Sequence, residues 1–151
     1  MAWFIKAFIR ASLVWLFVGS LLGVLVALVP GWVVYRPAHA HLTATGFLGM
    51  LVFGVGYQLL PRLFGHPLHS SRLAALHYYA ANAGLLSLVV GFVVRVHVPR
   101  AGTLLLGVGG LLFLAGVVAF CANLWRTFDA ADERERLRRQ GNGHRLPTLD
   151  G

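Results

Sequence analysis

Four stretches of this chain, residues 11–30, 38–60, 73–94 and 101–125, contain no Lys, Arg, Asp or Glu. Each is long enough to cross the hydrocarbon core of a bilayer, which takes about 20 residues of helix. Backbone groups in lipid must bond within the segment, and these runs are continuously apolar rather than alternating. The sequence therefore predicts an all-α fold, an integral membrane four-helix bundle, and not a barrel. A soluble domain carries about 25% charged residues. Here 12% are charged, 58% are hydrophobic, and the mean hydropathy is +0.72. Such a composition excludes a disordered chain, and a lone Cys excludes a disulfide scaffold. Both facts argue against a soluble globular enzyme. With 151 residues the chain has room for one domain, expected as a membrane unit over 1–128 and a charged cytoplasmic tail over 129–151.

The acidic residues are Asp129, Asp132, Glu133, Glu135 and Asp150, so residues 1–128 have no side-chain carboxylate. Acid–base chemistry on paired carboxylates and oxygen cages for hard cations have no material there. The net charge of +8 does not point to nucleic acid, because the basic residues flank the apolar runs. Lys6, Arg10, Arg62, Arg72, Arg126 and the tail arginines fall on one side of the membrane, and Arg36, Arg95 and Arg100 on the other. The positive-inside rule then puts both termini in the cytoplasm, as a multi-pass protein of the cytoplasmic (inner) membrane. The first run follows Lys6 and Arg10 like a secretory signal but is too long for a signal core, and is expected to be a retained helix. In the tail, Asp132 with Arg136 and Glu135 with Arg139 are spaced for helical pairs. A short helical extension is expected, fraying at Gly141 and Gly143. Gly107–Gly110 lies inside a span and is no phosphate cradle.

Of seven histidines, His39 and His41 are the informative ones. They lie in the first turn of the second span, near its outer end, and an ionisable group within a span is a functional candidate. Two residues of helix is about 200° of rotation, so the imidazoles point to nearly opposite sides. One helix thereby serves two sites, or one site and a support, and the pair does not chelate one ion in the i, i+4 manner. Below His41 runs a small-residue face, Thr45, Gly49, Val52 and Gly56, suited to close approach by another helix or a flat group. Below His39 run Thr43, Gly46, Met50, Phe53 and Tyr57, small and then bulky. His77 heads a seam of Ala80, Gly84, Ser87 and Gly91 in the third span. It is expected to hydrogen-bond across that seam, about 20–30 Å from His41 along the membrane normal. His97 is on the outer side with His39 and His41 and is a further metal-ligand candidate. His66 and His69 fall in a cytoplasmic loop and His144 in the tail. Cys121 is expected to pack as a small apolar residue, and Asn123 to bond backbone or water.

The segment His39-Ala-His41, continuing through Gly46 and Gly49 to Gly54-Val-Gly56-Tyr57-Gln-Leu-Leu-Pro61-Arg62, resembles the histidine-bearing helices of the catalytic subunit of heme–copper oxidases and nitric-oxide reductases. It is also similar to membrane heme proteins of the NnrS type. The resemblance covers mainly residues 38–90. It implies that His39 and His41 are axial ligands of heme iron. It also implies that four spans correspond to one of the three four-helix arcs of the family subunit, so that three copies, a homotrimer, would make twelve helices with heme at the subunit junctions. Heme b would then use Thr45 and Gly49 as part of its wall, and Arg36, Arg95 and Arg100 as partners of its propionates. Two axial imidazoles favour electron transfer; an open position favours binding a diatomic gas such as NO or O2. The family's copper-holding histidines have no match here, so a dinuclear centre and turnover are not implied. The competing readings are a copper or other transition-metal site without heme, as in oxidase assembly, and a structural module with no cofactor. The expected partners are membrane lipid, further copies of the chain, and a redox partner or gas.

Overall fold

The computed structural model describes residues 1–143. Four long helical passes fill it, each long and apolar enough to span a membrane. Helix α1 (Trp3–Leu28) is 26 residues, about 39 Å at 1.5 Å per residue, against a hydrocarbon core of about 30 Å. It starts ahead of the predicted 11–30, because Lys6 and Arg10 are tolerated on exposed positions of its first turns. It stops before Pro30, and Gly31 turns the chain with a positive φ of 87° that only glycine adopts readily.

The second pass is not the single regular helix expected over 38–60. A 3-10 turn (Trp32–Tyr35) leads into α2 (Arg36–His41), then an eight-residue π-helical stretch (Leu42–Gly49), then α3 (Met50–Leu63). Pro37 fits at the start of α2, where an amide hydrogen would have no helical acceptor. Helix α4 (Ser71–His97) opens on Ser70, whose Oγ accepts a hydrogen bond from the Leu73 amide at 3.2 Å. Val98 alone joins α4 to α5 (Pro99–Gly143). A Cβ on Gly102 would fall onto the Arg95 backbone, so this turn closes only on glycine.

Helix α5 is 45 residues long, about 68 Å, more than twice the hydrocarbon thickness. It carries the tail as a continuous helix to Gly143, the helical extension expected; the frayed end expected after it lies outside the described residues. The α3–α4 loop braces the extension. Phe64 stacks on Phe128 with ring centroids 4.4 Å apart, Thr127 Oγ1 accepts from the His69 amide at 3.0 Å, and Asn123 bonds both backbone groups of Ser70. The expected Glu135–Arg139 pair forms at 3.0 Å. Asp132 and Arg136 form no ion pair among the described residues.

The passes form two antiparallel hairpins. In one, α1 meets the second pass in register: Phe8 at Gly54, Trp15 at Gly46, Gly19 at Leu42 and Thr43, Gly23 at His39. In the other, α5 packs along the length of α4, with Gly84 on Gly109 and Gly91 on Leu106, the close backbone approach that small residues permit in lipid. The hairpins join through a buried cluster that includes Phe4, Phe8, Met50, Tyr57, Ala81 and Leu85. That cluster sits toward the end holding the N-terminus. Beyond Gly19 no residue of α1 is buried, and beyond Gly91 none of α4 is. The opposite end, which carries His39 and His41, is the open one.

Candidate functional site

His39 and His41 diverge as their spacing requires. His39 turns toward α1, and its Nδ1 lies 2.8 Å from the Gly19 carbonyl oxygen. Its ring lies flush on Gly23: a Cβ there would come within 2.7 Å of Cε1 and 3.0 Å of Nδ1. His41 turns toward α4 and packs against Phe92 with ring centroids 4.7 Å apart. Its Nδ1 lies 2.9 Å from the Pro37 carbonyl oxygen, one turn back in its own helix. A carbonyl oxygen only accepts, so Nδ1 carries the proton in both rings and donates it. Nε2 is left with its lone pair. This is the tautomer of an Nε2 metal ligand, with the second nitrogen anchored to fix ring orientation. Each anchoring bond contributes about 1 kcal/mol.

Thr43 supports the same turn. Its Oγ1 donates to the His39 carbonyl at 3.0 Å and reaches the Ala40 carbonyl at 3.2 Å, the local back-bonding that accompanies loosened helix. The π stretch begins directly after His41; such turns recur at functional sites because they rotate one part of a helix against the next. Thr45 and Gly49 lie in it and are half-buried. The Cβ direction of Gly49 meets nothing closer than the Ala44 carbonyl oxygen at 3.7 Å.

Of the three arginines expected near the histidines, Arg95 is placed with them. It lines a depression of about 330 Å³ with Val34, Pro37, Phe92 and Val96, and so shares two residues with the surroundings of His41. Arg36 and Arg100 are exposed at the same end. His97 does not join the pair: its Nε2 lies 3.0 Å from the Tyr35 hydroxyl, tying the end of α4 to the 3-10 turn. Among the described residues no three His, Cys, Asp or Glu side chains come together as a metal-ligand set. His144 lies outside the described residues.

His77 bonds across the bundle as expected, but to α3. Its Nδ1 is 3.1 Å from the Tyr57 hydroxyl, and it is fully buried among Phe8, Phe53 and Phe120, with Nε2 unpartnered. Fifteen residues of α4 separate it from Phe92, about 22 Å along the helix, so it belongs to a different level from His41. The seam below it forms against α5, with Ser87 Oγ donating to the Leu105 carbonyl at 2.8 Å. Asn123 bonds backbone as expected, whereas Cys121 is exposed instead of packed. Sequence reasoning missed Gly23, Phe92 and the Tyr57–His77 bond. Each depends on which helices become neighbours, and a glycine or phenylalanine in an apolar run carries no sign of that.

Comparison with known proteins bears on the same helices. The family described as Cytochrome C and Quinol oxidase polypeptide I matches residues 4–147. A cbb3-type cytochrome c oxidase subunit, CcoN1 of Stutzerimonas stutzeri, is 27% identical over a 122-position alignment covering 64% of this chain and 26% of that protein. Cytochrome c oxidase subunit 1 of Rhodobacter capsulatus is 30% identical over 114 positions, covering 59% of this chain and 21% of that protein. The chain thus spans about a quarter of the length of the curated relatives it matches. No solved structure matches it. A match that runs through all four membrane passes, on a chain whose paired histidines stand on its second pass, settles the kinship: the chain belongs to the family of subunit I of the heme–copper oxidases, as a multi-pass membrane protein.

Proposed function

We propose that this chain is a membrane heme b protein, held to iron through His39 and His41, that serves electron transfer or the binding of a diatomic gas. The observation that carries the reading is the pair of anchored imidazoles, each with Nδ1 on a backbone carbonyl and Nε2 free to ligate. The donor set fits the group: two neutral nitrogens, apolar surroundings, and Arg95 beside the Phe92 that His41 packs against. A heme held there by His39 and His41 would supply one-electron chemistry or a place for a diatomic gas.

The remaining roles belong to the chain's own residues. The Gly19 and Pro37 carbonyls hold the two rings in orientation. Thr45 and Gly49 offer the uncrowded face below His41. Arg36, Arg95 and Arg100 are the cations available for propionates, since no carboxylate lies in residues 1–128 to claim them. His39 and His41 face different neighbours, so one chain does not close both around one iron. Three copies in a ring bring the two kinds of face together at each junction. The excess of basic residues at the end with the N-terminus sets both termini in the cytoplasm.

The test is an optical spectrum of the protein purified after expression with ample heme, oxidised and reduced. A Soret band is expected, and it is lost in His39→Ala or His41→Ala while helix content is retained. A colourless wild type would overturn the reading. One copper per three chains without a Soret band would replace it with an axial copper site.

A further inference from the structure

At the end away from His39, α1 and α4 leave a groove of about 430 Å³ open to the membrane. Ala7, Ala11 and Val14 line its α1 side with little bulk, and Arg10 is exposed at its edge. Its polar floor is internally satisfied: Trp15 Nε1 donates to Asn82 Oδ1 at 3.0 Å, and Asn82 Nδ2 donates to the Tyr78 carbonyl at 2.8 Å. The Tyr78 ring packs edge-on against Phe8 at 5.2 Å, and its hydroxyl takes part in none of the hydrogen bonds among the described residues.

Depth and charge identify the occupant. The apolar part of α1 from Ala11 to Leu28 is 18 residues, about 27 Å, so Arg10 stands where hydrocarbon gives way to headgroups. Trp3, Tyr78 and Tyr79 cluster nearby with centroids 5.3 to 6.2 Å apart, the aromatic belt of that boundary. Residues 1–128 hold no carboxylate, and the one ion pair among the described residues is Arg139–Glu135, far out on α5. Among the described residues Arg10 has no carboxylate partner, and its exposed guanidinium is free to take a counter-charge at the membrane surface. A second copy carries acidic side chains on that side only along the α5 extension, from Asp129 outward, and none on its spans. A phosphodiester at the bilayer surface supplies the counter-charge, in the forked geometry that guanidinium favours. The same absence of carboxylates leaves no anionic side chain to pair with a choline or ethanolamine cation, so charge favours a headgroup with net negative charge.

We infer that this groove is a binding site for an anionic phospholipid, its phosphate on Arg10 and Tyr78 and the start of an acyl chain along Ala7, Ala11 and Val14. The site is independent of heme binding. The test is native mass spectrometry of the intact purified protein supplied with dioleoylphosphatidylglycerol or dioleoylphosphatidylcholine. Wild type is expected to retain one phosphatidylglycerol per chain. Arg10→Gln is expected to retain it about tenfold more weakly, the loss of one charge-assisted hydrogen bond. Ala11→Leu fills the groove with the charge intact and also loses the lipid; it carries the test if Arg10→Gln misfolds. Arg72→Gln, outside the groove, keeps the lipid. Equal retention by wild type and both groove variants would overturn the proposal. So would equal retention of phosphatidylcholine, or disulfide cross-linking of Ala7→Cys between copies.

Discussion

At the scale of single residues, the site and the fold depend on different atoms. Gly23 is the sharpest case. A methyl group there collides with the His39 ring, the mobile end of a side chain, and with no backbone. The fold accommodates Gly23→Ala by swinging the imidazole away, which breaks its bond to the Gly19 carbonyl. Gly23→Ala is therefore expected to leave unfolding stability within about 1 kcal/mol of wild type. The Soret band proposed for the His39 site should weaken or shift. Circular dichroism and an absorption spectrum on one sample read both effects; an unchanged band would show that His39 is not positioned through α1.

At the scale of helices, glycines that share one label do different work. Gly84 and Gly109 bring the backbones of α4 and α5 together. A Cβ on Gly84 would come within 2.6 Å of the Phe113 amide nitrogen, and one on Gly109 within 2.7 Å of that of Leu88. Neither obstacle rotates away, so Gly109→Ala forces the helices apart, at about 1–3 kcal/mol. Gly84→Ala acts on the same contact, so the double variant falls short of the sum. Gly107 and Gly110, on the same helix, meet nothing within 4 Å, and alanine there is expected to be neutral or mildly stabilising. Reversible unfolding in mixed micelles ranks the four. Equal effects would mean that the α4/α5 hairpin is not held by close approach. The second pass teaches a related lesson. Its apolar run and its histidine spacing were legible in the sequence, but the π stretch that follows His41 was not. Widening a helix at Leu42–Gly49 is settled by what packs around it: Trp15 and Leu85 on Gly46, and the Gly19 surface on Leu42 and Thr43.

At the scale of the whole molecule, packing is uneven. The hairpins share a dense aromatic core around Phe8, Tyr57 and His77 at one end. They contribute few buried residues, chiefly Ala38 and Leu42, at the end with the paired histidines. The ring of copies proposed above would close at that open end. The expected particle in mild detergent is three chains of 16.4 kDa, with about one iron per chain from three equivalent junctions. Native mass and metal analysis check both numbers together. A particle that stays monomeric with heme bound would remove the trimer and keep the heme.

The sequence by itself determined the medium, the class and the candidate histidines. Long runs free of charge admit only helices in lipid, the lack of carboxylates over 128 residues restricts the available chemistry, and a two-residue spacing sends two imidazoles apart. These are local facts, fixed by the covalent order of residues and the geometry of one helix. Only the tertiary structure decided what each imidazole touches, which nitrogen keeps its lone pair, and which residues line the groove beside Arg10. Those outcomes arise between helices distant in sequence, where a glycine facing a ring and a glycine facing lipid are written with the same letter.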